Sequence, residues 1–412
     1  MANQLQNSSL ISNEFMVRLK NSLAFTMSVN REWSKQFRGE GTKLGKSGVT
    51  INIRKPARGT GRRGQRAVPE GMQDQTVPLT INTQYGQDWA ISSQESALNL
   101  TSYAEQIIQP AVDIISNMID ADGLGLYYEI PDFVGTPGTN PTANLTYISA
   151  GTKLSDNAVP EGKSRYVVIN PTFQGLLLNT QATQFNAQAD ISEQNRAGHI
   201  ARTFGLNVGM SQNVASHTVG ALGTTPLVNV AGGVADGATS VVVDGASNSI
   251  TGYWKKGDII QFASCNGVNP SSKVSWGTPK RFAVAADADT NGSGQTTVYL
   301  TEAIRLTGPY QNVSALPADN AAILTFGHAS TYAGLSGPQA IAYHKDFITF
   351  ASVDLEIPPN QVMGSRASSD IVGLSVRHMR YWKGDDDQLV DRFDLLGGWK
   401  VLRPEMAVRI VG

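Results

Sequence analysis

Gly45-Lys46-Ser47 is the nearest approach in this chain to a phosphate-binding loop. Such a loop needs four residues between its first glycine and the Gly-Lys-Ser, so that backbone N–H groups curl around the phosphates. Gly39 stands one residue too far for that spacing and Gly41 one too near. The alternation of Val49, Ile51 and Ile53 with polar residues then predicts a strand, not a helix whose N-terminus would face an anion. The histidines (His199, His217, His328, His344 and His378) are scattered, with no partner at metal-ligand spacing. Asp385, Asp386 and Asp387, with Asp391 and Asp394 nearby, offer hard oxygens but lack the alternation and distal glutamate of a calcium loop. That run reads as a solvated turn or as the partner of another subunit's basic segment. Ser216-His217 has no nucleophile elbow around it. Cys265 is the single cysteine, which rules out an intrachain disulfide, fits a reducing compartment and reads as a small buried hydrophobe. No catalytic, cofactor or metal constellation emerges, so the expectation is a protein without an active site.

The concentrated chemistry is charge. Residues 41–69 carry Lys43, Lys46, Arg54, Lys55, Arg58, Arg62, Arg63 and Arg66, with six glycines and no acid. The whole chain has 33 Lys and Arg against 34 Asp and Glu, so the remainder holds 25 cations against 34 acids, a net −9. Near-neutral overall charge argues against a general nucleic-acid binder. On either side, Val49, Ile51 and Ile53, and Val77, Leu79 and Ile81, alternate with polar residues, the period of strands with one covered face. Two such strands joined by a long polar connection make a projecting hairpin, and connections of that length are usually functional. Arg54, Lys55, Arg58, Arg62, Arg63 and Arg66 are therefore expected to contact another subunit, with Asp385, Asp386 and Asp387 as candidate acidic partners. Charged residues are only 16% of the chain and glycines number 41. The charged share falls below the ~25% usual for soluble domains, which implies a surface covered by copies of itself.

The remaining elements follow from pattern. The chain is long enough for roughly two or three domains. The segment MANQLQNSSLISNEF has no basic and apolar leader pattern, and no run nears the roughly 18 apolar residues of a membrane span. Leu10, Ile11, Phe15, Met16, Leu19 and Leu23 space loosely as a helix without a companion sheet, predicting an arm that packs on a neighbour. Ser102 and Glu105 form a capping box ahead of a long helix. Pro110 kinks it or moves its start, and Gly123 caps its end. Tyr166–Ile169 reads as a strand, Asn170-Pro171 as a helix start, His199–Arg202 and Leu206–Val208 as strands. From 222 to 330 short strands such as Ser240–Val243, Ile259–Phe262 and Thr297–Leu300 alternate with turns, which predicts a small inserted barrel or sandwich. Gln339–Tyr343 reads as a helix. Phe347–Leu355, Ile371–Tyr381 and Gly398–Ile410 read as strands.

In this order the segments resemble the major capsid (coat) proteins of tailed bacteriophages, in the podovirus branch whose coat carries an inserted β domain. RYVVINPTFQGLLL (165–178) is similar to that family's strand–Pro–helix, and AGHIARTFGLNVGMSQNV (197–214) to its G-x-I-x-R-x-x-G-F-x-V segment, with Leu206 where an aromatic is frequent. WKKGDIIQFA (254–263) is similar to the turn–strand unit of the insertion, and GGWKVLRPEMAVRI (397–410) to the closing strands. The resemblance implies an α+β tailed-phage major capsid fold. Its parts would be an N-terminal arm (1–45), an extended hairpin loop (46–86), a peripheral domain with a spine helix (87–125) and an axial domain (126–221). An inserted small β-barrel domain (222–330), the rest of the axial domain (331–375) and C-terminal peripheral strands (376–412) would follow. It further implies a virion shell built of hexamers and pentamers of this chain, assembled in the bacterial cytoplasm, with a portal. The shell would enclose double-stranded DNA without reading its sequence, and no membrane, cofactor or metal is involved. No extension of roughly a hundred residues precedes the hairpin, which implies a separate scaffolding protein. Three other classes compete with this reading: an encapsulin-like compartment, which usually lacks the insertion; a non-assembling β-rich binding protein; and a nucleotide-dependent enzyme, disfavoured by the broken phosphate loop.

Overall fold

Thr50–Arg54 and Thr76–Thr80 pair antiparallel, with Ile51 opposite Leu79 and Ile53 opposite Val77, as their alternation requires. Ile53, Leu79 and Ile81 are buried with Phe37, Ala351 and Leu402. The computed structural model describes residues 8–37, 49–59, 64–67, 69, 71, 74–92, 104–182, 202–221, 224–325, 332–358, 363–369 and 372–412. They divide into one unit of Met1–Arg54, Thr76–Gly123 and Ile348–Leu402, and a second of Lys55–Gln75, Leu124–Phe347 and Arg403–Gly412.

The first unit is organised by one long strand, Gln388–Val401. Leu374–Lys383 and Ile348–Val353 pair successively along one edge of it and Thr83–Ser92 along the other, while Met363–Ser369 adds outside Leu374–Lys383. The helix Ser8–Ser22 corrects the expectation of an arm that packs only on a neighbour. Ile11, Phe15, Met16 and Leu19 are buried within their own chain, and the Phe15 ring stacks on Phe393 at 4.8 Å. Spacing shows that a helix has an apolar face but not which sheet covers it.

The long helix runs Gln109–Gly125 behind a wide π-helical stretch, Ala104–Ile108. Pro110 has no N–H to return to residue 106, so the regular helix begins around it. Ser102 of the expected capping box lies outside the described residues. Gly123 does not end the helix. A Cβ there would sit 2.7 Å from Trp399 and 2.8 Å from Phe25, so the glycine permits close packing. One turn earlier, the buried Asp120 carboxylate accepts the N–H groups of Ala24, Phe25 and Thr26 at 3.0, 3.1 and 3.0 Å, and the Thr26 hydroxyl. It ties the chain after the first helix to the long helix.

In the second unit, the described strands of the main sheet run Phe133–Gly135, Ala407–Val411, Ser336–His344, Arg165–Ile169, Leu206–Met210 and Arg202–Thr203, with Ser216–Thr218 joining the start of Ser336–His344. The helices Asn144–Asp156 and Pro171–Ala182 cover the sheet. They place Tyr147, Leu154, Phe173 and Leu177 against Val167, Ile169 and Ile410. Asn170 caps the second helix, its Oδ1 accepting the Phe173 N–H at 2.8 Å. Gln339–Tyr343, expected as a helix, lies in a central strand between Ala407–Val411 and Arg165–Ile169. A short strand buried on both faces shows no alternation, so its apolar run mimics a helix segment. Gly398–Ile410, expected as one strand, is broken by the 3-10 turn Pro404–Met406 into the end of Gln388–Val401 and the start of Ala407–Val411.

Residues 224–325 build two three-stranded sheets. Leu227–Val228, Ser240–Asp244 and Thr296–Tyr299 make one; Ile323–Thr325, Ile259–Val268 and Ser275–Ala283 make the other. Their ladders do not run on into a single closed barrel. Short seams join the edges: Val228 N–H to Ala321 O at 2.9 Å and Ile323 N–H to Pro226 O at 2.9 Å on one side, Ala285 N–H to Tyr299 O at 2.8 Å and Thr301 N–H to Ala283 O at 3.0 Å on the other. Between the sheets lie Tyr253, Trp254, Phe262, Cys265, Phe282 and Ile323, all fully buried.

Candidate functional site

Arg54, Lys55, Arg58 and Arg66 fall on described residues; Arg62 and Arg63, like Lys43, Lys46 and the Gly45-Lys46-Ser47 triplet, lie outside them. Arg54 is the exposed last residue of its strand, opposite Thr76. The Lys55 N–H then donates to Gln75 O at 2.8 Å, the last rung before Pro56, which has no N–H to continue the ladder. From here the segment leaves the hairpin, and Arg66 stands exposed in a bend.

Arg58 is held at the base of the loop. Its Nη2 donates to Glu405 Oε1 at 2.6 Å, and its guanidinium lies 5.7 Å from the centre of the Tyr310 ring. The 3-10 turn Pro404–Met406 positions Glu405. Around the pair opens a cleft of about 340 Å³, whose charged lining is Lys55, Arg58, Lys280, Arg305 and Arg403 against Glu302 and Glu405. Lys280 is buried with its Nζ 3.7 Å from Glu302 Oε2. Burial pulls its ammonium down, but Glu302, Asp132 and Glu405 outweigh that and leave its pKa above the ordinary value. The cleft therefore keeps a fixed excess of positive charge, suited to an acidic surface.

Asp385, Asp386 and Asp387 occupy the exposed turn between Leu374–Lys383 and Gln388–Val401, with Asp387 in the left-handed conformation at φ +50° and Lys383 paired to Asp386. Asp391 and Asp394 do not join them. Both point inward and meet arginines directly across the ladder. Arg380 grips Asp391 at 2.6 and 2.8 Å, with His378 at 3.2 Å, while Arg377 and Arg392 approach Asp394 at 2.6 and 2.8 Å. Strand alternation explains the split, because the residues beyond the turn are already committed to the sheet's two faces.

The other candidates have structural partners. His217 lies between Tyr127 Oη at 3.2 Å and the buried Asp258 carboxylate at 2.9 Å. Burial lowers the His344 pKa and pushes the Cys265 thiol up to about 12. His199 and His328 lie outside the described residues. Among the described residues no three His, Cys, Asp or Glu side chains gather to hold a metal, and no described helix is long and apolar enough to cross a membrane. Glu405, Lys280 and Glu302 were not legible as parts of this site. Glu405 stands far along the chain from Arg58 and carries no local pattern that marks it.

A family model described as "P22 coat protein – gene protein 5" matches residues 71–412. A protein described as the major capsid protein of Acyrthosiphon pisum secondary endosymbiont phage 1 is 24% identical over 294 residues, covering 68% of each chain. Among solved structures, one of Mycobacterium phage Che8 overlaps with a TM-score of 0.45 at 13% identity, covering 93% of this chain and 89% of that one. The capsid structure of the cyanophage P-SCSP1u overlaps at 0.41 and 10% identity, covering 88% and 83%.

Proposed function

Because this chain belongs to the P22 coat protein family and is a major capsid protein of tailed phages, we propose that it acts without an active site, by closing a shell of its own copies through the basic loop at Arg54–Arg66. The observation that carries the shell reading is the family match across residues 71–412, which begins beyond the loop. The loop adds a means. It is rich in cations, nearly devoid of apolar residues, and tethered at its base through Arg58 and Glu405. Ordering each backbone residue costs roughly 1–2 kcal/mol, and a loop with little of its own to bury must recover that from outside. The net −9 of the remaining chain supplies acids on every neighbouring copy, the exposed Asp385–Asp387 turn among them.

Single exposed ion pairs contribute only about 0–1 kcal/mol, so each contact can break and re-form while many together hold a closed structure. In this reading the copies form hexamers and pentamers, a separate scaffolding protein sets the curvature, and a portal occupies one vertex. Assembly occurs in the host cytoplasm around what becomes the compartment for double-stranded DNA, held without sequence readout. Residues 222–330 are proposed as an inserted domain that helps the coat to fold and bridges neighbouring capsomers. Producing the full chain with its scaffolding protein and sedimenting the product tests the proposal. Uniform closed particles are expected; a stable monomer that turns over a substrate would sink it.

A further inference from the structure

Among the described residues of the second unit, the most deeply buried guanidinium makes no ion pair with a carboxylate. Arg409, 1% exposed on the closing strand Ala407–Val411, donates from Nη1 to the carbonyl of Gly257 at 2.8 Å. Its Nε and Nη2 reach no protein partner. Asp258 adjoins Gly257 in the chain, and each of its oxygens already has a partner. Oδ1 faces His217 Nε2 at 2.9 Å, and Oδ2 accepts the N–H groups of Lys255 at 2.7 Å and Gly220 at 3.2 Å.

On the adjoining strand Gln339 is 3% exposed, and its Oε1 is also without a partner while Nε2 donates to Gly337 O at 3.3 Å. Register brings the two together. Arg409 pairs with Ile341, and Gln339 stands two residues along, so both side chains leave the same face of the sheet. Both also line a small pocket of about 20 Å³, bordered by His217, Gly257, Asp258 and Val411. An ordered water needs ~10–15 Å³ and two to four polar partners.

We propose that one buried water occupies this pocket, bridging Arg409 Nε and Nη2 to Gln339 Oε1, and so seats the Lys255–Asp258 turn on the main sheet of the same unit. The oxygen accepts from both guanidinium N–H groups, one hydrogen goes to Gln339, and the second is left for a lone pair of the Asp258 carboxylate. A halide would satisfy the guanidinium but would face the Gln339 carbonyl and the Asp258 carboxylate with the wrong sign. The geometry therefore selects water over an anion. Its role is to join the turn, whose Gly257 carbonyl Arg409 already holds, to two strands that lie far from it in sequence.

The test is a density map of the full-length protein, assembled or free, at a resolution where buried waters elsewhere in the subunit are visible. The expected result is a single peak within ~2.7–3.2 Å of all three atoms. An empty pocket, or a peak that gives anomalous signal after bromide exchange, overturns the proposal. Gln339→Leu provides a second readout by hydrogen exchange. Loss of the bridge should speed exchange of the Gly257 and Asp258 amides at least tenfold and leave Leu395 and Val401 of the other unit unchanged. Unchanged protection at Gly257 and Asp258 would count equally against the bridge.

Discussion

Reversing Arg58 separates two roles that its geometry allows: fastening the loop to its own subunit, or gripping a neighbour. The Arg58 and Glu405 side chains are 33% and 24% exposed and meet through a single 2.6 Å contact. Pairs of that kind contribute about 0.2–1 kcal/mol. Arg58→Glu loses this and sets two carboxylates together, so a subunit loss of roughly 1–2 kcal/mol is expected. At an inter-subunit contact, a loss of about 1 kcal/mol weakens association roughly fivefold, and a closed shell repeats that loss at every copy. The charge swap Arg58→Glu with Glu405→Arg restores the internal pair with its polarity inverted. Unfolding in urea and particle yield by sedimentation are then read on the wild type, both single variants and the swap. The swap should recover the wild-type unfolding midpoint and still fail to make normal particles. If particle yield recovers along with stability, Arg58 only positions the loop, and the reasoning that assigns it to a neighbour is wrong.

Arg62→Glu with Arg63→Glu should leave circular dichroism and melting nearly unchanged while abolishing or misdirecting shells. Raising salt should weaken wild-type assembly in the same direction, since exposed charges are screened within ~10 Å at 0.1 M; normal shells with only less DNA would transfer these arginines to DNA. Asp120→Ala strands three backbone N–H groups and a hydroxyl in a buried site. At ~1–3 kcal/mol for each unmet group, softened by rehydration, the loss should reach about 3 kcal/mol or more in chemical unfolding, and a loss under ~1 kcal/mol would show that the tie is not made. Burial pushes Asp394 up, but hydrogen bonds from Arg392, Arg377 and Gln84 outweigh it and hold the carboxyl below its ordinary 3.8. A carboxyl lowered by folding stabilises above its unfolded pKa and loses that contribution as pH falls through the folded value. Asp394→Asn should therefore destabilise the protein at neutral pH, and the difference from wild type should shrink below about pH 4; a pH-independent difference would refute the assignment.

Local pattern reached the elements whose partners lie close in sequence. The hairpin stem was legible because Val49, Ile51 and Ile53 stand opposite Val77, Leu79 and Ile81 on strands consecutive in the chain, and their period of two admits one register. Asn170-Pro171 announced a helix start through residues that act within four positions of themselves. Gln339–Tyr343 failed for the opposite reason. A central strand takes its state from neighbours at 165–169 and 407–411, and a five-residue apolar run is silent about them. The inward turn of Asp391 and Asp394 depends on strands paired across the sheet, so the acidic run looked continuous when only Asp385–Asp387 are exposed. Charge concentration marked the basic loop, because it is a property of composition. Glu405 and Lys280 were hidden, because a partner brought close by folding leaves no trace in spacing.

The most direct measurement is a density map of the assembled particle in which the loop can be traced from one subunit to the next. Arg58, Arg62, Arg63 and Arg66 should lie within ion-pair distance of carboxylates on a neighbouring copy, with the Asp385–Asp387 turn among the acceptors. A loop folded back wholly onto its own subunit, or arginines turned inward to the packaged phosphates, would contradict the account.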